Sequence, residues 1–278
     1  MKLNTQCLKS PFVAALILIT ASAAFAQRPG DLVITPTRVQ LDERVKSGDL
    51  TLLNRGAKPV RYRLSLINME MSEDGVLKRR ESDDPLSAVP SLRLSPREIL
   101  LEPGVSQRVR IAAAVPAGTQ DGELRSHLVF EPMSMPSSNA ASPDTSGSLR
   151  INLEFRSVVS IPVIVRHGSV AASGSMSDLS VLKDPQGYIT RFTIHRAGNR
   201  SLRGNVTATF IPASGGSQLP LGEIAGLSVY CPNSDRIVNL RLKNDLSKLG
   251  AGKIVVRFAE QEHSRGAVDL QAQITAPG

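Results

Sequence analysis

The 278-residue chain is 41% hydrophobic and 4% aromatic, and it carries a formal net charge of +8. Its Lys and Arg residues are scattered, the longest run being Lys78-Arg79-Arg80, and aromatic platforms for stacking bases are scarce, which argues against a nucleic-acid partner. The two cysteines, Cys7 and Cys231, allow at most one disulfide, so stability has to come from packing.

In chain order the first element reads as a leader. Lys2 and Lys9 precede an apolar run, Phe12 to Ala26, that closes on Ala24-Phe25-Ala26. A basic start, a short greasy stretch and a small-x-small end predict a cleaved secretory signal over residues 1–26. The run is about 15 residues, shorter than the roughly 20 a membrane-spanning helix needs. Cleavage would leave a chain starting at Gln27 with charge +6 and a single thiol, Cys231. No second apolar run of spanning length follows, so no membrane insertion is expected.

From there, period-two patterns dominate. "DLVITPTRVQLD" (Asp31 to Asp42), "DLTLLN" (Asp49 to Asn54), "VRYRLSLINME" (Val60 to Glu70), "SQRVRIAAAV" (Ser106 to Val115) and "HLVFEP" (His127 to Pro132) are short alternating or apolar runs. Turn residues separate them in "NRGAKP", "EDG", "LEPG" and "PAGTQDG", a pattern that predicts a β-sandwich of roughly seven strands. A second series follows "HGS": "YITRFTIHR", "LRGNVTATFIP", "LPLGEIAG", "RIVNLRLKN", "AGKIVVRFAE" and "RGAVDLQAQI". The expected fold is all-β, two sandwich domains in tandem, over residues 27–167 and 168–278.

Catalytic patterns are missing. The histidines, His127, His167, His195 and His263, are far apart in the chain, without the i, i+4 or similar spacing of a metal site. Gly250-Ala251-Gly252-Lys253 is followed by Ile254 where a phosphate loop needs Ser or Thr, and Ser247 stands where its first glycine belongs, so the stretch reads as a hairpin turn. There is no Gly-x-Ser-x-Gly elbow. No catalytic residue, metal or cofactor is expected.

One segment is harder to place. After the loose loop "PMSMPSSNAASPDTSGS", Leu149, Ile151, Leu153 and Phe155 alternate with Arg150, Asn152, Glu154 and Arg156. Such an apolar row either belongs to its own domain's core or is kept as an edge for another chain, and alternation alone does not choose. In strand addition, main-chain hydrogen bonds give affinity and alternate side chains fill pockets. An uncovered edge also invites self-association of the free protein.

As an ordered set, "ITPTRVQLDERVKSGDLTLLNRGAKPVRYRLSL" (Ile34 to Leu66), "LEPGVSQRVRIAAAVPAG" (Leu101 to Gly118), "DGELRSHLVFEP" (Asp121 to Pro132) and "IPVIVRHG" (Ile161 to Gly168) resemble the PapD-like periplasmic pilus-assembly chaperones. The second half is similar only through "NRSLRGNVTATFIP" and "YCPNSDRIVNL". The resemblance implies two immunoglobulin-like sandwiches set at an angle and a periplasmic location. It also implies pilin-like subunit partners that receive a strand from the chaperone, here 149–166, and are delivered to an outer-membrane usher. The long Ser- and Pro-rich connection resembles the branch with a long loop before the donor strand.

The same resemblance assigns residues. Arg38 falls on the cleft arginine that holds the subunit's C-terminal carboxylate, a task suited to a planar guanidinium. Leu149, Ile151, Leu153 and Phe155 fall on the donor row. The partner lysine of the cleft would stand at position 162, which is Pro162 here; Arg125, on the preceding strand, is a candidate substitute. Glu123 and Arg166 match an interdomain ion pair, with Glu260 as its expected acidic third member. Two alternatives stay open: a secreted adhesion or structural module built of the same sandwiches, without chaperone activity, and a hydrolase or metal protein.

Overall fold

The computed structural model describes residues 31–133, 157–261 and 267–276. Residues 1–26, where a signal sequence is expected, and the stretch 134–156 with Leu149, Ile151, Leu153 and Phe155 lie outside the described residues.

The first half contains β1 (Leu32–Thr35), β2 (Val39–Leu41), β3 (Ser47–Asn54), β4 (Val60–Ile67), β5 (Met69–Met71), β6 (Leu77–Arg79), β7 (Leu92–Ser95), β8 (Glu98–Leu101), β9 (Ser106–Ala113), β10 (Gly122–Pro132) and β11 (Val159–His167). One sheet has the order β1-β3-β9-β7 and the other β2-β11-β10-β4-β8. Alternation makes the core: Leu50 and Leu52 of β3 and Val109 and Ile111 of β9 meet Leu128 and Phe130 of β10 and Val163 and Val165 of β11 in one buried cluster. The turn after β3 is pinned by buried Asn54, whose Nδ2 donates to the Lys58 and Leu101 carbonyls at 2.8 and 2.9 Å while its Oδ1 accepts from Gly56 N.

The run Asp31 to Asp42, which reads as one strand, is two. Pro36, which lacks an N–H, ends the pairing with β3, and the chain crosses to the opposite sheet, where β2 runs parallel to β11 with Val39 opposite Val163. Arg38 therefore sits at the crossing. "VRYRLSLINME" likewise breaks at Asn68, and its last residues open a small hairpin, β5–β6.

The second half contains β12 (Ala172–Asp184), β13 (Gly187–Gly198), β14 (Leu202–Pro212), β15 (Leu219–Val229), β16 (Asp235–Arg241), β17 (Gly252–Glu260) and β18 (Asp269–Thr275). Sheets β12-β13-β16 and β15-β14-β17-β18 close over Phe192, Ile194, Val206, Phe210, Val256 and Phe258. The chain is thus all-β, two immunoglobulin-like sandwiches in tandem. No helix among the described residues is long and apolar enough to cross a membrane.

The halves meet through specific contacts. Glu123 N donates to Asn199 O at 2.9 Å, and Asn199 Nδ2 donates to the Asp121 and Ser169 carbonyls at 3.2 and 2.9 Å. The β5–β6 hairpin reaches across: Ile237 N donates to Glu73 O at 2.7 Å and Asn233 Nδ2 to Met71 O at 2.6 Å. Gly75, at φ +85°, lies under the Arg236 guanidinium where any side chain would collide.

Candidate functional site

β10 departs from ordinary alternation because it is buried on both faces, from Glu123 through Phe130. Leu124, Leu128 and Phe130 face the first core. Glu123, Arg125, His127 and Val129 form the other row, and there the second sandwich covers the strand: Tyr230, following β15, packs with Ile164 of β11 and Met71 of the hairpin.

Tyr230 organises the cationic groups. The Arg125 guanidinium carbon lies 4.3 Å from its ring centroid and that of Arg38 lies 6.0 Å away, distances at which the ring face attracts a cation. His127 meets the ring edge-on, with centroids 6.4 Å apart. Arg125 Nη2 donates to Met69 O at 2.8 Å. In contrast, Nη1 of Arg38, Nη1 of Arg125 and both ring nitrogens of His127 are buried without a hydrogen-bond partner. Buried polar atoms left unpaired cost about 1–3 kcal/mol each, and the unpaired guanidinium N–H groups of Arg38 and Arg125 suit an anionic acceptor. Burial lowers the pKa of Arg38 and Arg125, with Tyr230 and Glu123 opposing; a guanidinium starts so far above neutrality that both remain cations.

His127 is 1% exposed, and its pKa falls from 6.5 to about 3, through burial first and then the charges of Arg125 and Arg38. The unfolded chain takes this proton near 6.5 and the folded chain only near 3. Between those values the unfolded state binds more protons, so stability falls as the pH drops through the window. His127→Phe keeps a ring and removes the titrating nitrogens. Urea denaturation at about pH 7 and about pH 5 should show the native protein losing about 2 kcal/mol more than the variant; equal losses would mean that the ring titrates as it does in water.

The ion pair differs from the sequence expectation. Arg166 Nε and Glu123 Oε2 are 3.2 Å apart, with side chains 9% and 0% exposed, but the two residues stand opposite each other on β11 and β10 of the same sandwich. The two residues therefore pair within the first sandwich, and the Glu123 backbone bonds across the boundary to Asn199. Glu260 is engaged elsewhere. Its two carboxylate oxygens accept from Nη1 and Nη2 of Arg200, and one also accepts from Val268 N at 2.8 Å. Arg200 lies in the turn between β13 and β14, 60 positions before Glu260, so no local spacing rule pairs the two.

Two crevices flank the Tyr230 contact. One, of ≈ 660 Å³, is lined by Gln120, Glu123, Arg196, Asn199 and Cys231. The other, of ≈ 240 Å³, lies under the hairpin and is lined by Met69, Lys78, Arg80, Arg125 and Asn233.

His195 is solitary in the sequence, yet the fold gives it neighbours. Ser177 Oγ is 2.7 Å from its Nε2 and Asp235 Oδ1 is 2.5 Å from its Nδ1. The order is that of a charge relay, but Ser177 Oγ also donates to Asp178 Oδ2 at 2.6 Å, so a carboxylate competes for the hydroxyl proton. The His195 and Asp235 side chains are each 40% exposed. A water-bathed chain of this kind lacks the exclusion that gives such groups catalytic strength. Among the described residues, no three His, Cys, Asp or Glu side chains are grouped to hold a metal ion.

No protein-family model and no curated protein matches the sequence. Solved structures do. The chain is similar to the SafB chaperone of Salmonella enterica, solved with the SafA pilin, at 12% identity over 90% of this chain and 99% of that one, TM-score 0.46. It is similar to the E. coli chaperone DraB at 14% identity over 87% and 95%, TM-score 0.44. It is also similar to a chain of the CsuC-CsuE chaperone-tip adhesion subunit pre-assembly complex of Acinetobacter baumannii at 12% identity over 74% and 89%, TM-score 0.42.

Proposed function

We propose that the protein is a periplasmic chaperone of pilus or fimbrial subunits, exported by its leader, that lends a strand to an incomplete subunit and passes it to an outer-membrane usher. The carrying observation is an open edge that leads to a cation. In β11, Val163 to Val165 pair with β10 on one side and β2 on the other, whereas among the described residues Val159 to Pro162 pair only with β10. β2 runs parallel to β11 and begins at Val39, immediately after Arg38. A visiting strand laid on the open edge in line with β2 would run parallel to β11 and bring its C-terminus to Arg38.

The chemistry of that end point suits a chain terminus. A terminal carboxylate accepts two hydrogen bonds in a plane, and Arg38 carries a buried, unpartnered Nη1. The donor row follows from phase. Val159, Ile161, Val163 and Val165 of β11 pack against the first core, and Leu149, Ile151, Leu153 and Phe155 share their odd phase. Upstream of β11 they would fill a partner's core as those residues fill this one.

Arg38→Ala tests the anchor. The variant should keep the native circular dichroism spectrum and lose the small β-rich subunits that co-purify from periplasmic extract, since a charge-assisted contact is worth about 1.5–3 kcal/mol. A folded variant that recovers subunit at the native yield would contradict the role.

A further inference from the structure

We propose that His127 is the second hydrogen-bond donor to the terminal carboxylate bound at Arg38, so that an imidazole and a guanidinium together read the end of the partner chain. This rests on the Arg38 reading above. The sheet register carries it: His127 of β10 stands directly opposite Pro162 of β11, and the parallel pairing of β11 with β2 sets Arg38 beside that same position on the far side. His127, Pro162 and Arg38 thus form one row across three strands, with the short proline ring between two longer polar side chains. Nδ1 and Nε2 of His127 are both buried and both unpartnered, as is Nη1 of Arg38.

Arg125 is the rival for this task, and its contacts place it elsewhere. It stands opposite Ile164, one same-face position further along β10. Its Nη2 is held by Met69 O and its plane by Tyr230, and it lines the crevice under the hairpin. Arg125 therefore holds Tyr230 over the cleft, while His127 faces the row that contains Arg38. A neutral imidazole carries one N–H and one lone pair. The N–H can donate to a carboxylate oxygen beside Arg38, adding specificity for an acid end over an amide end without a third fixed charge in the cleft.

The probe is an acetyl-capped octapeptide of alternating valine and threonine with a free C-terminal carboxylate, compared with its C-terminal amide, each titrated into the full chain. Binding constants are measured, and the His127 ring nitrogens are followed by NMR. The acid should bind the native protein more tightly than the amide and move the ring-nitrogen resonances. His127→Phe should weaken the acid roughly tenfold or more and leave the amide unchanged, and His127→Gln, which restores an N–H, should recover part of the loss. If acid binding depends on Arg38 while the ring nitrogens do not move and His127→Phe binds like the native protein, the inference is overturned and the anchor stands. If neither peptide binds, or acid and amide bind alike to the native protein and to Arg38→Ala, the anchor reading itself falls and His127 with it. Should His127→Phe fail to fold, the ring-nitrogen shifts and the glutamine variant decide the same question.

Discussion

Arg166→Ala should lower stability by about 3–5 kcal/mol in urea denaturation, because it leaves the Glu123 carboxylate charged, buried and without its guanidinium. Glu123 is 1% exposed and Arg166 8%, so neither end of the pair can turn to water. The remaining Glu123 oxygen, Oε1, is buried and already lacks a hydrogen-bond partner, which leaves nothing to absorb the loss. The damage should reach the domain boundary as well, since the Glu123 backbone N–H bonds to Asn199 of the second sandwich. Arg257→Ala is the control. Its partner is Asp269, and their side chains are 54% and 52% exposed, so removing that guanidinium should cost no more than about 1 kcal/mol. Equal shifts for the two variants would place the Arg166 pair in solvent.

Much of the first sandwich is legible from spacing. Leu50 and Leu52, or Val109 and Ile111, alternate with exposed residues in the sequence and do so in the structure, because those strands have one face in the core and one in water. β12 was not legible. Its Ser-rich stretch scatters its apolar residues, and a bulge between Ser177 and Ser180, with Asp178 at φ 55°, shifts its phase midway, so that Met176 and then Leu179 and Val181 pack inward. The β5–β6 hairpin was hidden for a different reason: it is stabilised by partners such as Asn233, 162 positions from the Met71 carbonyl that it holds.

The cleft shows the same divide. Arg38 is singled out only by the resemblance of the stretch around it, and His127 and Tyr230 are not singled out at all. A histidine in "DGELRSHLVFEP" looks like the polar phase of a half-exposed strand, and it becomes a buried group only because the second sandwich closes over β10. The Glu123–Arg166 pair was legible as a pair but not as an arrangement within one sheet. Glu260 is expected beside Arg166, but the arginine that holds it, Arg200, is brought to it by the packing of the second sandwich.

The most direct test of strand donation is Leu153→Asp, with thermal stability of the free protein read beside co-purification of subunits from the periplasm. If Leu149, Ile151, Leu153 and Phe155 are donated, each buries its side chain in the complex, worth roughly 1.5–3 kcal/mol apiece, and an aspartate there puts an unpaired charge into the partner's core. Under strand donation, Leu153→Asp loses the subunits while the free protein melts close to the native temperature, and Asn152→Asp, in the opposite phase, keeps both. A Leu153→Asp protein that is destabilised as strongly as one with a core substitution such as Val163→Asp would contradict strand donation, because the row would then belong to its own sandwich.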